Sequence, residues 1–246
     1  MDRLQLDKNA KLTGRVYFKD EVMWLGLSGS GASFTFDGTK LVLKLKGDNI
    51  AVGDNSIDYA RIAVYVDGKR VVDEMIDCAE KEVTVIDRTE NAQSVVEIIK
   101  LSESPMSAVG VEAFAEGSAE ALPEKPLKIE FIGDSITCGY GVDDEDENHQ
   151  FTTATEDVTK AYAYKTAKAL DAEYSMFSAS GYGIVSGYTE GDEPISEQTI
   201  PQFYCSYGFS RGNFAGTAPQ DISWDFSKYK CCYRNGNRRF YCFCRS

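Results

Sequence analysis

From Lys11 to Phe114 the apolar residues alternate with polar ones or gather in short runs, and turn-forming residues interrupt them at close intervals. Phe34-Thr35-Phe36 alternates, Leu41 to Leu45 is nearly continuous, and Asp37-Gly38 between them predicts a hairpin turn. Ile62 to Val66 and Val71-Val72 flank Asp67-Gly68, which predicts a second hairpin. Val83 to Ile86 and Val95 to Ile99 continue the pattern, and no helical period competes with it. Short strands spaced in this way predict a β-sandwich.

The pattern changes at Ala115 to Pro126, where Gly, Ser, Ala, Glu and two prolines read as a linker. Leu127 to Ile132 is then an apolar strand ending at a glycine. Asp157 to Leu170 reads as a helix, with Ala163, Ala167 and Leu170 in helical spacing. Tyr174 to Phe177 is a further strand, ending at Ser178-Ala179-Ser180-Gly181. Strand, loop, helix, strand opens a parallel α/β sheet, and ligands of such sheets sit beyond the carboxyl ends of the strands. The expected division is 1–114 as β-sandwich, 115–126 as linker, 127–229 as a partial α/β domain and 230–246 as an aberrant tail.

Composition narrows the function classes. At 43% hydrophobic and 26% charged residues the chain is ordinary globular material. No stretch approaches the roughly 20 apolar residues that span a bilayer, so no membrane partner is expected. Met1 to Lys19 carries scattered charge and no apolar core, which points to the cytoplasm unless a misplaced start hides an export signal. The net charge of −13 argues against nucleic acid, whose phosphates need a basic face. Of seven cysteines, Cys78, Cys138 and Cys205 stand apart and are expected to be reduced and mostly buried. Nothing in the pattern calls for a metal or a cofactor.

Ser135 follows a buried strand within Ile132-Gly133-Asp134-Ser135-Ile136-Thr137. A nucleophilic serine needs an exposed hydroxyl on a rigid turn, with backbone N–H groups near it to hold an oxyanion. The same pattern serves an ordinary strand exit, and the residues alone leave both readings open. Phe131 to Gly141 resembles block I of the SGNH/GDSL hydrolases. Ile99-Lys100-Leu101-Ser102-Glu103, Phe151 to Glu156 and Ser178 to Gly183 resemble carbohydrate esterase family 2. That resemblance covers about Leu12 to Tyr229. It implies a jelly-roll domain joined to a flavodoxin-like SGNH α/β domain. The activity it implies is O-acetylester hydrolysis on an acetylated plant polysaccharide or oligosaccharide, as in acetyl xylan esterases. By the same resemblance Ser135 is the nucleophile, and the backbone N–H groups of Ser135 and Gly181 are oxyanion donors.

The family also uses a Gly-x-Asn-Asp block and an Asp-x-x-His block near its C-terminus, and neither is read here. The one histidine, His149, lies in the acidic loop Asp143 to His149, between block I and the helix, and reads as solvated. Phe203, Tyr204, Tyr207, Phe209 and Trp224 read as core, with a sugar-stacking role as the alternative. From Lys230 to Ser246 there are five basic residues, no acidic one and four of the seven cysteines. A zinc cluster there fits poorly, because Cys-Cys and Cys-x-Cys depart from the usual spacing. Codon degeneracy offers another reading. Shifting Cys231 to Arg238 by one base gives Val or Ala, Val or Ala, Ile or Thr and similar residues, a strand composition. A frameshift near Lys230 and a premature stop are therefore expected, giving a truncated, inactive and aggregation-prone chain whose sandwich survives alone. The competing readings are a non-catalytic carbohydrate-binding protein and a Cys-rich metal or redox protein.

Overall fold

The computed structural model describes residues 1–54 and 57–226, together with the backbone of 239–243. Four short strands, β1 (Asp2–Leu4), β2 (Lys11–Thr13), β3 (Tyr17–Lys19) and β4 (Val22–Leu25), and one helical turn, α1 (Leu6–Asn9), precede β5 (Gly31–Gly47). The hairpin β6 (Ala60–Val66) and β7 (Lys69–Ile76) follows, then β8 (Glu80–Lys100) and β9 (Val109–Ala121). All nine form one antiparallel sheet in the order β3-β4-β9-β5-β8-β6-β7, with β1 on β9 and β2 on β5. Where many short strands were expected, β5, β8 and β9 are 17, 21 and 13 residues long.

Asp67 and Gly68 both take positive φ, 50° and 79°, and close the β6–β7 turn as expected. A turn of this hand matches the twist of the strands it joins. Asp37-Gly38 is not a hairpin. It sits inside β5, where the register on β9 shifts by one residue between Gly38 and Lys40. On the other side Gly38 pairs with Ala92 and Lys40 with Asp87, so four residues of β8 bulge outward. A Cβ on Gly38 would lie 2.3 Å from the Glu116 carbonyl oxygen, so the close approach of β9 requires glycine there. The expected linker is corrected over 115–121, because β9 continues through Ala115 to Ala121 paired with β5 on both sides of that shift.

The parallel part consists of β10 (Lys128–Gly133), α2 (Ser135–Cys138), α3 (Tyr162–Ala169), β11 (Glu173–Ser178), α4 (Pro201–Tyr204) and β12 (Arg239–Phe243). β10 is central, with β11 and β12 parallel on either side. β12 lies within the tail read as aberrant, whereas Cys231 to Arg238 lies outside the described residues. The helix expected over Asp157 to Leu170 is shorter. Asp157 caps a 3-10 turn at Val158–Lys160, Ala161 is extended, and only then does α3 begin.

Three apolar cores result. One lies within the antiparallel sheet and includes Phe34, Phe36, Leu41, Leu43, Ile62, Val64 and Ile98. The other two join the sheet to the parallel strands. Ile132 and Phe177 pack with Val22, Trp24, Tyr207 and Phe214, while Ile129, Phe131 and Met176 pack with Ala63, Ile99, Leu101 and the alanines of α3. Phe203, Tyr204, Phe209 and Trp224 pack against the second core, and the rings of Tyr182, Phe203 and Phe209 meet edge-on or tilted with centroids 4.5–6.1 Å apart. Among the described residues no helix is long and apolar enough to cross a membrane. Cys78, Cys138 and Cys205 are free, but only Cys138 is buried; Cys205 is exposed on the turn after α4.

Candidate functional site

Gly133 of β10 pairs with Ser178 of β11, so the two strands end side by side at their carboxyl ends. Ser135 stands two residues beyond the first end and Gly181 three beyond the second, which brings the two candidate residues to the same edge. Ser135 opens α2. Asp134 caps that turn by accepting the Ile136 N–H at 3.1 Å, and Gly139 closes it at φ 83°. The turn has no room for a side chain at 133, where a Cβ would lie 2.1 Å from Thr137 Oγ1. Ser135 is half-buried, and Ile136 and Tyr140 beside it are exposed.

Gly181 has φ 78°, in the left-handed region where glycine is favoured. Its carbonyl accepts the Tyr188 N–H at 2.8 Å, and Tyr182 N–H bonds back to Ala179 at 3.1 Å. Among the described residues no group accepts the N–H of Ser135 or of Gly181. Two unengaged amides at adjacent strand ends suit an anion or a developing oxyanion.

His149 is exposed, and it does not stand alone. Its Nδ1 lies 2.8 Å from Asp144 Oδ1 and its Nε2 3.8 Å from Asp146 Oδ2. Asp146 to His149 has the Asp-x-x-His spacing, but not at the C-terminal place where the family keeps that block. It falls before α3 in the chain, and the partner of Nδ1 is Asp144, not Asp146. The same loop is tied to the sheet by Asp143, which pairs with Arg61 at 2.9 Å and with Lys160.

A buried charged cluster behind the two loops was not read from the sequence. Glu103, on the connection from β8 to β9, accepts the Ser180 N–H at 2.6 Å, one residue before Gly181. Cys138 Sγ of α2 lies 3.8 Å from the same carboxylate oxygen and 3.2 Å from Ser178 Oγ. Glu156 accepts the Glu103 N–H at 3.0 Å. Lys100 donates to the carbonyls of Ser102 and Glu103 at 2.7 and 3.0 Å. Burial lowers the Lys100 ammonium to about 8, against the pull of Glu156, Asp48 and Glu103. Burial raises both carboxyls, Glu156 further because the charge of Glu103 adds to it, and burial likewise raises the Cys138 thiol. The available signal was Lys100, a charge inside the apolar run Val95 to Leu101.

Residues 12–126 match the family model for the N-terminal domain of carbohydrate esterase 2. Beyond this domain, the chain is 27% identical over 231 residues to an acetylxylan esterase / glucomannan deacetylase of Cellvibrio japonicus, covering 91% of this chain and 58% of the relative. A family two carbohydrate esterase from Clostridium thermocellum, solved with cellohexaose, aligns at TM-score 0.72 and 26% identity over 89% of this chain and 62% of its own. The acetyl xylan esterase Est2A of Butyrivibrio proteoclasticus shares the fold at TM-score 0.80 and 20% identity, over 93% and 62%. The chain spans at most 58% of the length of the curated relatives it matches.

Proposed function

We propose that this chain carries the nucleophile half of a serine ester hydrolase that removes O-acetyl groups from polysaccharides or oligosaccharides. The observation that carries the reading is the placement of Ser135 and Gly181 just beyond the adjacent ends of β10 and β11, each with an N–H that no described residue accepts. Ser135 is the nucleophile, and the Ser135 and Gly181 amides hold the carbonyl oxygen as it becomes an oxyanion. The similarity to acetylxylan esterases and to a glucomannan deacetylase supports the substrate class. The finer architecture we favour is a jelly roll, bent at the Gly38 bulge, beside an SGNH α/β domain, with 1–121 and 127–229 as its units.

A serine also needs a base to take its proton. In the absence of a triad member only ~10³–10⁴-fold catalysis over water remains in serine hydrolases. Within the 246 residues the one histidine faces Asp144 and Asp146 on an exposed loop. The 246-residue chain is therefore expected to hydrolyse 4-nitrophenyl acetate negligibly. Reading the gene across Lys230 in the shifted frame should restore Gly-x-Asn-Asp and histidine blocks. The restored enzyme should be active, and Ser135→Ala should abolish that activity. A restored enzyme indifferent to Ser135→Ala would remove the nucleophile from the reading. Ser135-dependent turnover by the 246-residue chain itself, lost in His149→Ala, would make the His149–Asp144 pair the base. Glycan binding without turnover by the restored enzyme would favour a carbohydrate-binding protein.

A further inference from the structure

Glu103 and Glu156 are both fully buried, and neither has a role in the proposed chemistry. Glu103 belongs to the β-rich part, yet it touches both loops that leave the parallel strands, through the Ser180 N–H and the Cys138 thiol. One oxygen of each carboxyl, Oε1, is buried without a hydrogen-bond partner among the described residues. A carboxylate oxygen of each lies within 4.8 Å of the other and of Cys138 Sγ. Two buried carboxylates this close cannot both ionise cheaply, so one of them holds a proton.

The contacts say which. Glu103 Oε2 receives an amide at 2.6 Å, the short separation of a charged acceptor, whereas Glu156 receives its amide at an ordinary 3.0 Å. The remaining negative charge faces the enclosed Lys100 ammonium. The other groups facing the pair are Arg61 of β6, Cys138 of α2 and Tyr140 after it, while Asp48 beyond β5 faces Lys100.

We propose that Glu103 is a positioning residue for the Ser180–Gly181 loop: its carboxylate holds the Ser180 N–H, and Glu156 keeps the proton that lets Glu103 stay charged. Gly181 then stands between two anchors, Glu103 on the Ser180 amide and Tyr188 N–H on its own carbonyl. The N–H of Gly181 is fixed in direction without itself being bonded. Only the catalytic use of that N–H rests on the esterase reading.

Backbone amide NMR of the isotopically labelled 246-residue chain between pH 4 and 9 tests this. The Ser180 amide proton should lie far downfield and move with pH as the buried pair titrates. Glu103→Gln keeps the volume and an acceptor oxygen; it should cancel that titration and speed exchange of the Ser180 amide about tenfold, the difference between a charged and a neutral acceptor. Glu156→Gln should keep the downfield position and move the midpoint toward that of an ordinary glutamate. Glu103→Asp, which retains charge but retracts it by one methylene, should keep the titration with a smaller downfield shift. A Ser180 amide indifferent to Glu103→Gln and Glu103→Asp would overturn the proposal. So would one equivalent of zinc bound by the chain and lost in Glu156→Gln, since a metal would then occupy the place of the shared proton. Failure of the esterase reading would appear separately, as hydrolysis independent of Ser135 in the restored enzyme, with the Ser180 titration unchanged.

Discussion

Gly133 shows how little freedom the strand exit has. Thr137, whose Oγ1 a Cβ at 133 would meet at 2.1 Å, is fully buried and shares a hydrogen bond of 3.1 Å with the Tyr162 hydroxyl, so it has nowhere to move. Gly133→Ala should cost about 1–3 kcal/mol as an overpacked site, read by urea unfolding. Ser135→Ala, at a half-exposed position, should change stability by no more than about 0.5 kcal/mol. The buried pair makes a pH prediction. Glu103 and Glu156 titrate above the ordinary 4.5 when folded, so the folded chain binds more protons than the unfolded one just above that pH. Stability should fall as pH rises through that window. Lys100 works oppositely: between about 8 and 10.5 the unfolded chain binds the extra proton, so stability should climb there. Urea midpoints across pH should trace a minimum between the two limbs, and Glu156→Gln should flatten the acidic one. The placement of Ser135 and Gly181 at one sheet edge was legible because each follows an apolar strand visible in the local pattern. Glu103 and Glu156 were not, because a carboxyl becomes buried through distant segments, and its own neighbours in sequence do not announce it.

At the scale of elements, the apolar pattern and the β6–β7 hairpin were read correctly, whereas the connections at Asp37-Gly38 and at 115–121 were not. Phe34 and Phe36 are at even positions, and Leu41, Leu43 and Leu45 at odd ones, yet all five face one core. A change of parity is what a hairpin produces, and equally what one extra residue in a continuous strand produces. The sequence cannot separate these; the partners on both sides of β5 do, since β8 and β9 hold it in line across Gly38. The supposed linker fails for a related reason. Ala, Gly and Ser read as loose chain, but between Phe34 and Leu41 they allow β9 to approach closely, and a Cβ on Gly117 would lie 2.3 Å from the Asp37 carbonyl oxygen. Limited proteolysis should therefore spare 115–121 and cut at 122–126 or in the exposed loop 144–150, with the fragments read by mass spectrometry. Cutting within 115–121 would mean that β9 is not paired to its end.

The whole molecule is held as one by what crosses between the antiparallel sheet and the parallel strands. Arg15, 1% exposed, donates to the carbonyls of Tyr204 and Ser206 and lies 4.3 Å above the Phe177 ring and 4.8 Å above that of Tyr204. Asp48, just past β5, accepts the N–H of Ala108 and the hydroxyl of Ser107, and a Cβ on Gly212 would meet it at 1.7 Å. Trp24, Leu27, Ala63, Ile99 and Leu101 of the sheet region are buried, in cores they share with residues beyond 127. These facts refine the expectation that the β-rich part survives alone. Its internal core, from Phe34 and Phe36 to Val109 and Val111, owes nothing to the parallel strands. A fragment of residues 1–126 should therefore fold cooperatively, with the far-ultraviolet signal of a sheet. It should also expose the apolar residues of both shared cores at once, a patch of the kind that drives association. The expected result is a folded fragment that binds a hydrophobic dye strongly and self-associates with rising concentration, where the 246-residue chain binds less dye per molecule. A fragment that stays monomeric and dye-free would show that the two parts meet too loosely for the shared cores to matter. A fragment that does not fold would show that the sheet depends on its partner.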